Sequence, residues 1–247
     1  MPTDGNQWVL TLRRKFPFSE LYDHADINPL VHRERYMQEA LDRFYFDAFF
    51  MLKMNRVPGA YLEFGSGSNV RSFRFALKYS RLEPLGPTPR PIYSFDSFAG
   101  LPQPQGIDRH PQWQKGAMAV SLDEFRALMA AYDATDGVDY HTVEGFYDQS
   151  LPANPPESLG IDTAAFVHVD CDLYDSSKAA LDYVTPILAH GAVLSFDDWF
   201  CFNGDPDLGE QRAFHEWRAE NAGVLEFLPY AKFGWHGMSF LVKRLDR

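Results

Sequence analysis

The chain has 247 residues, long enough to bury a full core, and 45% hydrophobic with 15% aromatic content excludes a disordered polymer. A formal net charge of −11 argues against nucleic acid as a partner, because phosphate backbones are held by clustered Lys and Arg. Only Cys171 and Cys201 are present, no basic-then-apolar leader is visible, and the apolar stretch 44–54 is too short to span a bilayer, so a cytoplasmic protein without a membrane partner is expected.

Residues 1–28 carry no pattern that assigns an element. Over 30–54, Met37, Leu41, Phe44, Ala48 and Leu52 recur at three- and four-residue intervals, which predicts an amphipathic helix ended by Pro58-Gly59. A strand follows at 60–64, then the turn Gly65-Ser66-Gly67 and a helix over 70–79. Four prolines between 84 and 91 mark a loop, and a second strand over 92–95 ends at Asp96. Residues 98–120, rich in Pro, Gly and Gln, form a long loop of the kind that is either a functional lid or disordered. A helix at 122–132, a strand at 139–143, strands at 165–169 and 192–196 around a helix at 176–184, a helix at 210–219 and a closing strand pair at 224–227 and 238–242 complete the series. Strand alternating with helix predicts an α/β fold with a mostly parallel, doubly wound sheet, in one domain.

Two of these strands end abruptly in acid. Asp170 and Asp172 follow one, Asp197 and Asp198 the other. A carboxylate is costly to bury unpaired, so each belongs at a strand tip, facing solvent, a cation or a substrate. Tips separated by one helix lie side by side on a parallel sheet, where open α/β sheets bind ligands. Hard oxygen donors gathered there suit Mg²⁺ or a similar ion. The alternative is solvated loop acids; Asp175 or Ser176 already supplies a cap for the helix at 176–184.

Gly65 and Gly67, right after a buried strand, let a ligand approach the backbone, although many structural turns carry such a pair. The third glycine of a dinucleotide turn is missing. Glu63 would repel a pyrophosphate but attract a positively charged amino-acid group. Asp96 stands where an acid commonly holds ribose hydroxyls, and equally reads as a turn acid. His168 reads as a packed, hydrogen-bonded strand residue, and His236 is expected to stay out of the cleft. Cys171, between two acids, should be a poor nucleophile.

The segments VPGAYLEFGSGS, IYSFDSFAGLP, VEGFYDQSLP, VDCDLYDSSKAALDYVTPILAHGAVLSFDDWF and EQRAFHEW, in this order, resemble the class I S-adenosylmethionine-dependent methyltransferases. More narrowly they resemble the macrocin O-methyltransferase (TylF-type) family, metal-dependent enzymes that methylate sugar hydroxyls of natural products. The resemblance implies a Rossmann-like sheet over 59–247 with an antiparallel C-terminal strand, after an N-terminal helical segment over 1–58. It implies that Glu63, Gly65, Ser66 and Gly67 line the methionine moiety of S-adenosylmethionine, that Asp96 and Ser97 bind the ribose, and that Gly145, Phe146 and Asp148 lie near the adenine. Asp170, Asp197 and Asp198 match the metal-binding aspartates, with Mg²⁺ the expected ion and Asp170 also close to the cofactor; Asp172 matches the general base. A small-molecule hydroxyl acceptor and a homodimer are implied in the same way. The rival readings are a metal-dependent glycosyltransferase using a nucleotide sugar, and a non-catalytic module that retains the cofactor pocket.

Overall fold

The computed structural model describes residues 29–67, 70–109 and 113–246, so the unassigned segment 1–28 lies outside the described residues. Helix α1 (Pro29–Met54) turns Leu41, Phe44, Tyr45, Ala48, Phe49 and Leu52 inward, as their spacing predicts. It is followed by β1 (Ala60–Phe64), α2 (Phe73–Leu82), β2 (Ile92–Asp96), α3 (Leu122–Ala130), β3 (His141–Glu144), α4 (Tyr147–Ala153) and β4 (Ala164–Val169). Then come α5 (Tyr174–Val184), β5 (Leu188–Phe196), α6 (Gly209–Glu220), β6 (Leu225–Phe233) and β7 (Gly237–Arg244).

The strands form one seven-stranded sheet in the order β3-β2-β1-β4-β5-β7-β6. β7 runs antiparallel to both its neighbours, and the pairs from β3 through β5 are parallel. Every residue of β1, β2 and β4 is buried, which is why these strands read as continuous apolar runs rather than as alternating ones. α1 seals one face of the sheet through aromatic contacts, with Phe44 stacked on Phe233 at 4.2 Å and Tyr45 on Phe166 at 5.2 Å between ring centroids.

Three expectations need correction. α2 begins at Phe73 rather than residue 70, because Val70 sits at φ 48°, where a β-branched residue cannot start a helix. β6 runs on through Pro229, which an edge strand tolerates and which made the segment look shorter. α4 was not anticipated; it is short and carries Pro152 in its last turn.

Candidate functional site

The strand order reverses between β1 and β4, and the candidate site lies at the tips beside that switch point. Each tip extends the parallel ladder by one hydrogen bond. Gly65 N–H donates to Phe95 O at 2.9 Å, Asp170 N–H to Phe64 O at 2.8 Å, Asp197 N–H to Val169 O at 2.9 Å and Gly145 N–H to Asp96 O at 2.9 Å. Sheet register therefore sets Gly145, Asp96, Gly65, Asp170 and Asp197 in one row. Asp96, Gly65, Asp170 and Asp197 border a cleft of about 970 Å³ that is also lined by Ser66, Gly67, Ser97, Phe146, Asp148, Asp172 and Asp198; Gly145 stands in the row but not among the lining residues.

At the glycine turn, Asp96 accepts from Gly67 N–H at 2.8 Å and from Phe98 N–H at 2.7 Å. Burial pushes its pKa up while these amides pull it back. Asp96 thus does organise its own turn, and it still borders the cleft. Glu63 is placed differently from expectation: it is fully buried behind the turn and is not among the residues that line the cleft. Its carboxyl accepts from the Tyr61 hydroxyl and, at 2.8 Å, from Ser72 Oγ, and the Tyr61 and Tyr45 hydroxyls are 2.8 Å apart. This chain of buried polar groups ties α1 to the start of α2 beneath the cofactor-type turn.

Burial raises the Glu63 pKa to about 8, with the Tyr61, Ser72 and Ser66 hydrogen bonds opposing the shift. A carboxyl whose folded pKa lies above its unfolded value stabilises the fold fully at low pH and loses that contribution as pH rises toward 8. Thermal melts between about pH 5 and pH 8 should therefore show the wild type losing stability faster than Glu63→Gln, by a few kcal/mol at most across that window. Parallel slopes for the two proteins would contradict a neutral Glu63.

The acids crowd one another, with Asp172 buried and Asp170, Asp197 and Asp198 half-buried. The Asp172 and Asp198 carboxyls share a hydrogen bond, and the Trp113 side chain bonds Asp172 as well. Burial and then repulsion from the other acids hold Asp170, Asp172 and Asp198 above the usual carboxylate range. Among the described residues, no group of three or more His, Cys, Asp or Glu side chains stands as a ready-made metal cage. The donor chemistry nonetheless fits a hard divalent ion, since crowded, mutually repelling carboxylate oxygens are what such an ion would neutralise.

Two further expectations are overturned here. His236 does border the cleft: its Nδ1–H donates to the Asp197 carbonyl and lies 3.6 Å from Asp197 Oδ1. The β5–β7 pairing brings the Trp235-His236 turn over the β5 tip, and no local pattern reveals that pairing. Helix α5 is capped by neither Asp175 nor Ser176. Asp108, from the long loop, accepts from the Tyr174 and Asp175 amides at 2.7 and 3.5 Å. These bonds anchor the described part of the 98–120 loop at the cleft, and Trp113 adds a second anchor by packing against Phe202 at 4.4 Å between ring centroids. His168, as expected, is packed inside β4 with Nδ1 2.8 Å from Ser195 Oγ, and burial lowers its pKa to about 4. Burial also pushes the Cys171 thiol well up, leaving it a poor nucleophile.

Among curated proteins, the chain is similar to 8-demethyl-8-(2,3-dimethoxy-alpha-L-rhamnosyl)-tetracenomycin-C 4'-O-methyltransferase of Streptomyces olivaceus, at 30% identity over 58% of this chain and 54% of that one. It is also similar to demethyldecarbamoylnovobiocin O-methyltransferase of Streptomyces niveus, at 31% identity over 44% of this chain and 42% of the relative. The chain spans about half the length of the curated relatives it matches. Among solved structures, the calicheamicin methyltransferase CalS11 shares the fold with a TM-score of 0.68, at 24% identity over 98% of this chain and 91% of that one. The model of one family, macrocin-O-methyltransferase (TylF), matches residues 38–224, a stretch that contains the glycine turn, Asp96 and all four strand-tip acids. With the match covering most of the chain and the whole row of strand tips, the chain belongs to the macrocin-O-methyltransferase (TylF) family.

Proposed function

We propose that this protein transfers the methyl group of S-adenosylmethionine to a hydroxyl of a sugar or another diol-bearing natural product, with a divalent ion, most simply Mg²⁺, bound at the acid cluster. The observation that carries the reading is the one cleft in which a glycine turn and a crowded set of acids meet at adjacent strand tips. Gly65, Ser66 and Gly67 would hold the methionine moiety, Asp96 and Ser97 the ribose, and Gly145, Phe146 and Asp148 the adenine. Glu63 stiffens the turn from behind. S-adenosylmethionine supplies an electrophilic methyl on a sulfonium. The ion, held by Asp170, Asp197 and Asp198, would supply the Lewis acidity that makes an alcohol acidic enough to react near neutral pH.

Asp172 is the residue we assign to receive the hydroxyl proton. Trp113, which bonds Asp172, and the loop anchored through Asp108 would exclude water above it and help to hold the acceptor in line with the methyl group. A sugar acceptor is further supported by the tetracenomycin relative, which is named for methylating a 4' hydroxyl in a compound carrying a rhamnosyl group. No helix among the described residues is long and apolar enough to cross a membrane, and Cys171 and Cys201 are free thiols. A cytoplasmic, single-domain protein is part of the proposal, and self-association rests on the family resemblance alone.

Calorimetric titration with S-adenosylhomocysteine, with Mg²⁺ and again with chelator, tests this reading. Binding in both conditions, together with Mg²⁺-dependent turnover of a diol panel, is expected. Absence of binding in either condition would sink the proposal.

A further inference from the structure

Helix α6 presents two consecutive buried side chains, Glu210 and Gln211, to the turn that carries Asp197 and Asp198. Glu210 Oε2 accepts from the Asp198 N–H at 2.9 Å. Gln211 Nε2 donates to the Trp199 carbonyl at 2.6 Å. The turn is thus gripped on both sides of the Asp198-Trp199 peptide. Gly209 lets the helix come this close: its φ is 51°, and a Cβ there would lie 2.6 Å from the Phe202 ring and 3.6 Å from the Asp172 carbonyl oxygen.

The second oxygen of Glu210 is unexplained by this grip. Glu210 is 1% exposed, and its Oε1 is buried without a hydrogen-bond partner among the described residues. Burial, and then the charges of Asp198, Asp197 and Asp172, push its carboxyl well above the usual carboxylate range. A glutamine of the same shape would accept the same Asp198 N–H through its carbonyl oxygen. A buried carboxyl oxygen without a partner, on the residue that holds the Asp198 N–H, is the kind of group that a cation at the cluster would compensate.

We infer that Glu210 is a positioning residue of the acid cluster, one that fixes the Asp197-Asp198 turn through one oxygen and contributes its carboxylate, from behind the ligands, to holding a divalent cation. This rests on the metal reading proposed above. Carboxylates that support a metal site from outside the ligand set typically change affinity by about 10–100-fold when removed. Glu210 does not touch the acceptor or the methyl group in this assignment.

The test is titration of Mn²⁺ into the full chain, comparing wild type, Glu210→Gln and Glu210→Ala, with S-adenosylhomocysteine affinity and thermal melting in chelator measured on each. Glu210→Gln is expected to melt no lower than wild type in chelator and to bind S-adenosylhomocysteine unchanged, while its Mn²⁺ affinity falls by about 10–100-fold. Glu210→Ala, which also releases the turn, should lose both Mn²⁺ affinity and melting temperature. Wild-type Mn²⁺ affinity in Glu210→Gln would overturn the inference and leave the metal reading standing. Absence of Mn²⁺ binding in the wild type itself would overturn both.

Discussion

Gly65→Ala is expected to cost about 4 kcal/mol or more, enough to lower the melting temperature of a chain this size by roughly 10 °C. The cause is local and steric. A Cβ at Gly65 would stand 1.8 Å from the Asp170 carbonyl oxygen and 2.6 Å from its carbon, at a φ of 95° that L-residues rarely adopt. The obstacle is backbone on both sides, because Asp170 N–H is itself bonded to Phe64 O in the next rung of the sheet. No rotamer change relieves it, so the β1 and β4 tips must separate. That separation would widen the glycine turn and pull Asp170 away from Asp197, and the folded fraction should lose S-adenosylhomocysteine binding. Gly86→Ala is the matched control: nothing lies within 4 Å of its Cβ, and its effect should stay within about 0.5 kcal/mol. Equal melting temperatures for the two variants would show that the β1–β4 contact is not the rigid template described here.

Asp172→Asn is expected to reduce methyl transfer by about 10²–10⁴-fold, the usual contribution of a general base, while leaving S-adenosylhomocysteine affinity unchanged. The substitution is chosen for its fit. Asp172 occupies φ 60°, a left-handed conformation that Asn adopts readily. Its carboxyl shares a hydrogen bond with Asp198, and an Asn amide would donate into the same bond and remove one member of a mutually repelling group. The variant should therefore fold at least as stably as wild type, so lost turnover could not be assigned to unfolding. Steady-state rates with a diol acceptor, read beside melting curves, give the answer. Full activity in Asp172→Asn would make Asp172 a structural partner of Asp198 and Trp113 and move the proton acceptor elsewhere.

Much of the sheet was legible before any coordinates. β1, β2, β4 and β5 are buried on both faces, so their apolar runs and acidic or glycine ends stand out against the flanking loops. The hydrogen-bond ladder then carries local information into space: once β1, β4 and β5 are parallel neighbours, residues just past their ends must meet. That is why Gly65, Asp170 and Asp197 could be grouped from sequence. Glu63 shows where this reasoning stops. It belongs to the motif, but strand alternation turns its side chain into the protein, where Tyr61 and Ser72 receive it.

The residues that sequence reasoning missed share one property: their partners are remote in the chain. Asp108 caps a helix 66 positions away, His236 meets Asp197 across 39, and Glu210 reaches Asp198 from the next helix. Each sits in an unremarkable local context, and each acquires its role through bonds to residues on another element. The sequence by itself determined the α/β class, the strand tips, the glycine turn and the acids gathered there, because buried strands and their polar ends obey local rules of periodicity and desolvation. Only the tertiary structure decided which side chains face the cleft, which stand behind it and what covers it, because those outcomes depend on how α6, β7 and the 98–120 loop pack against the tips.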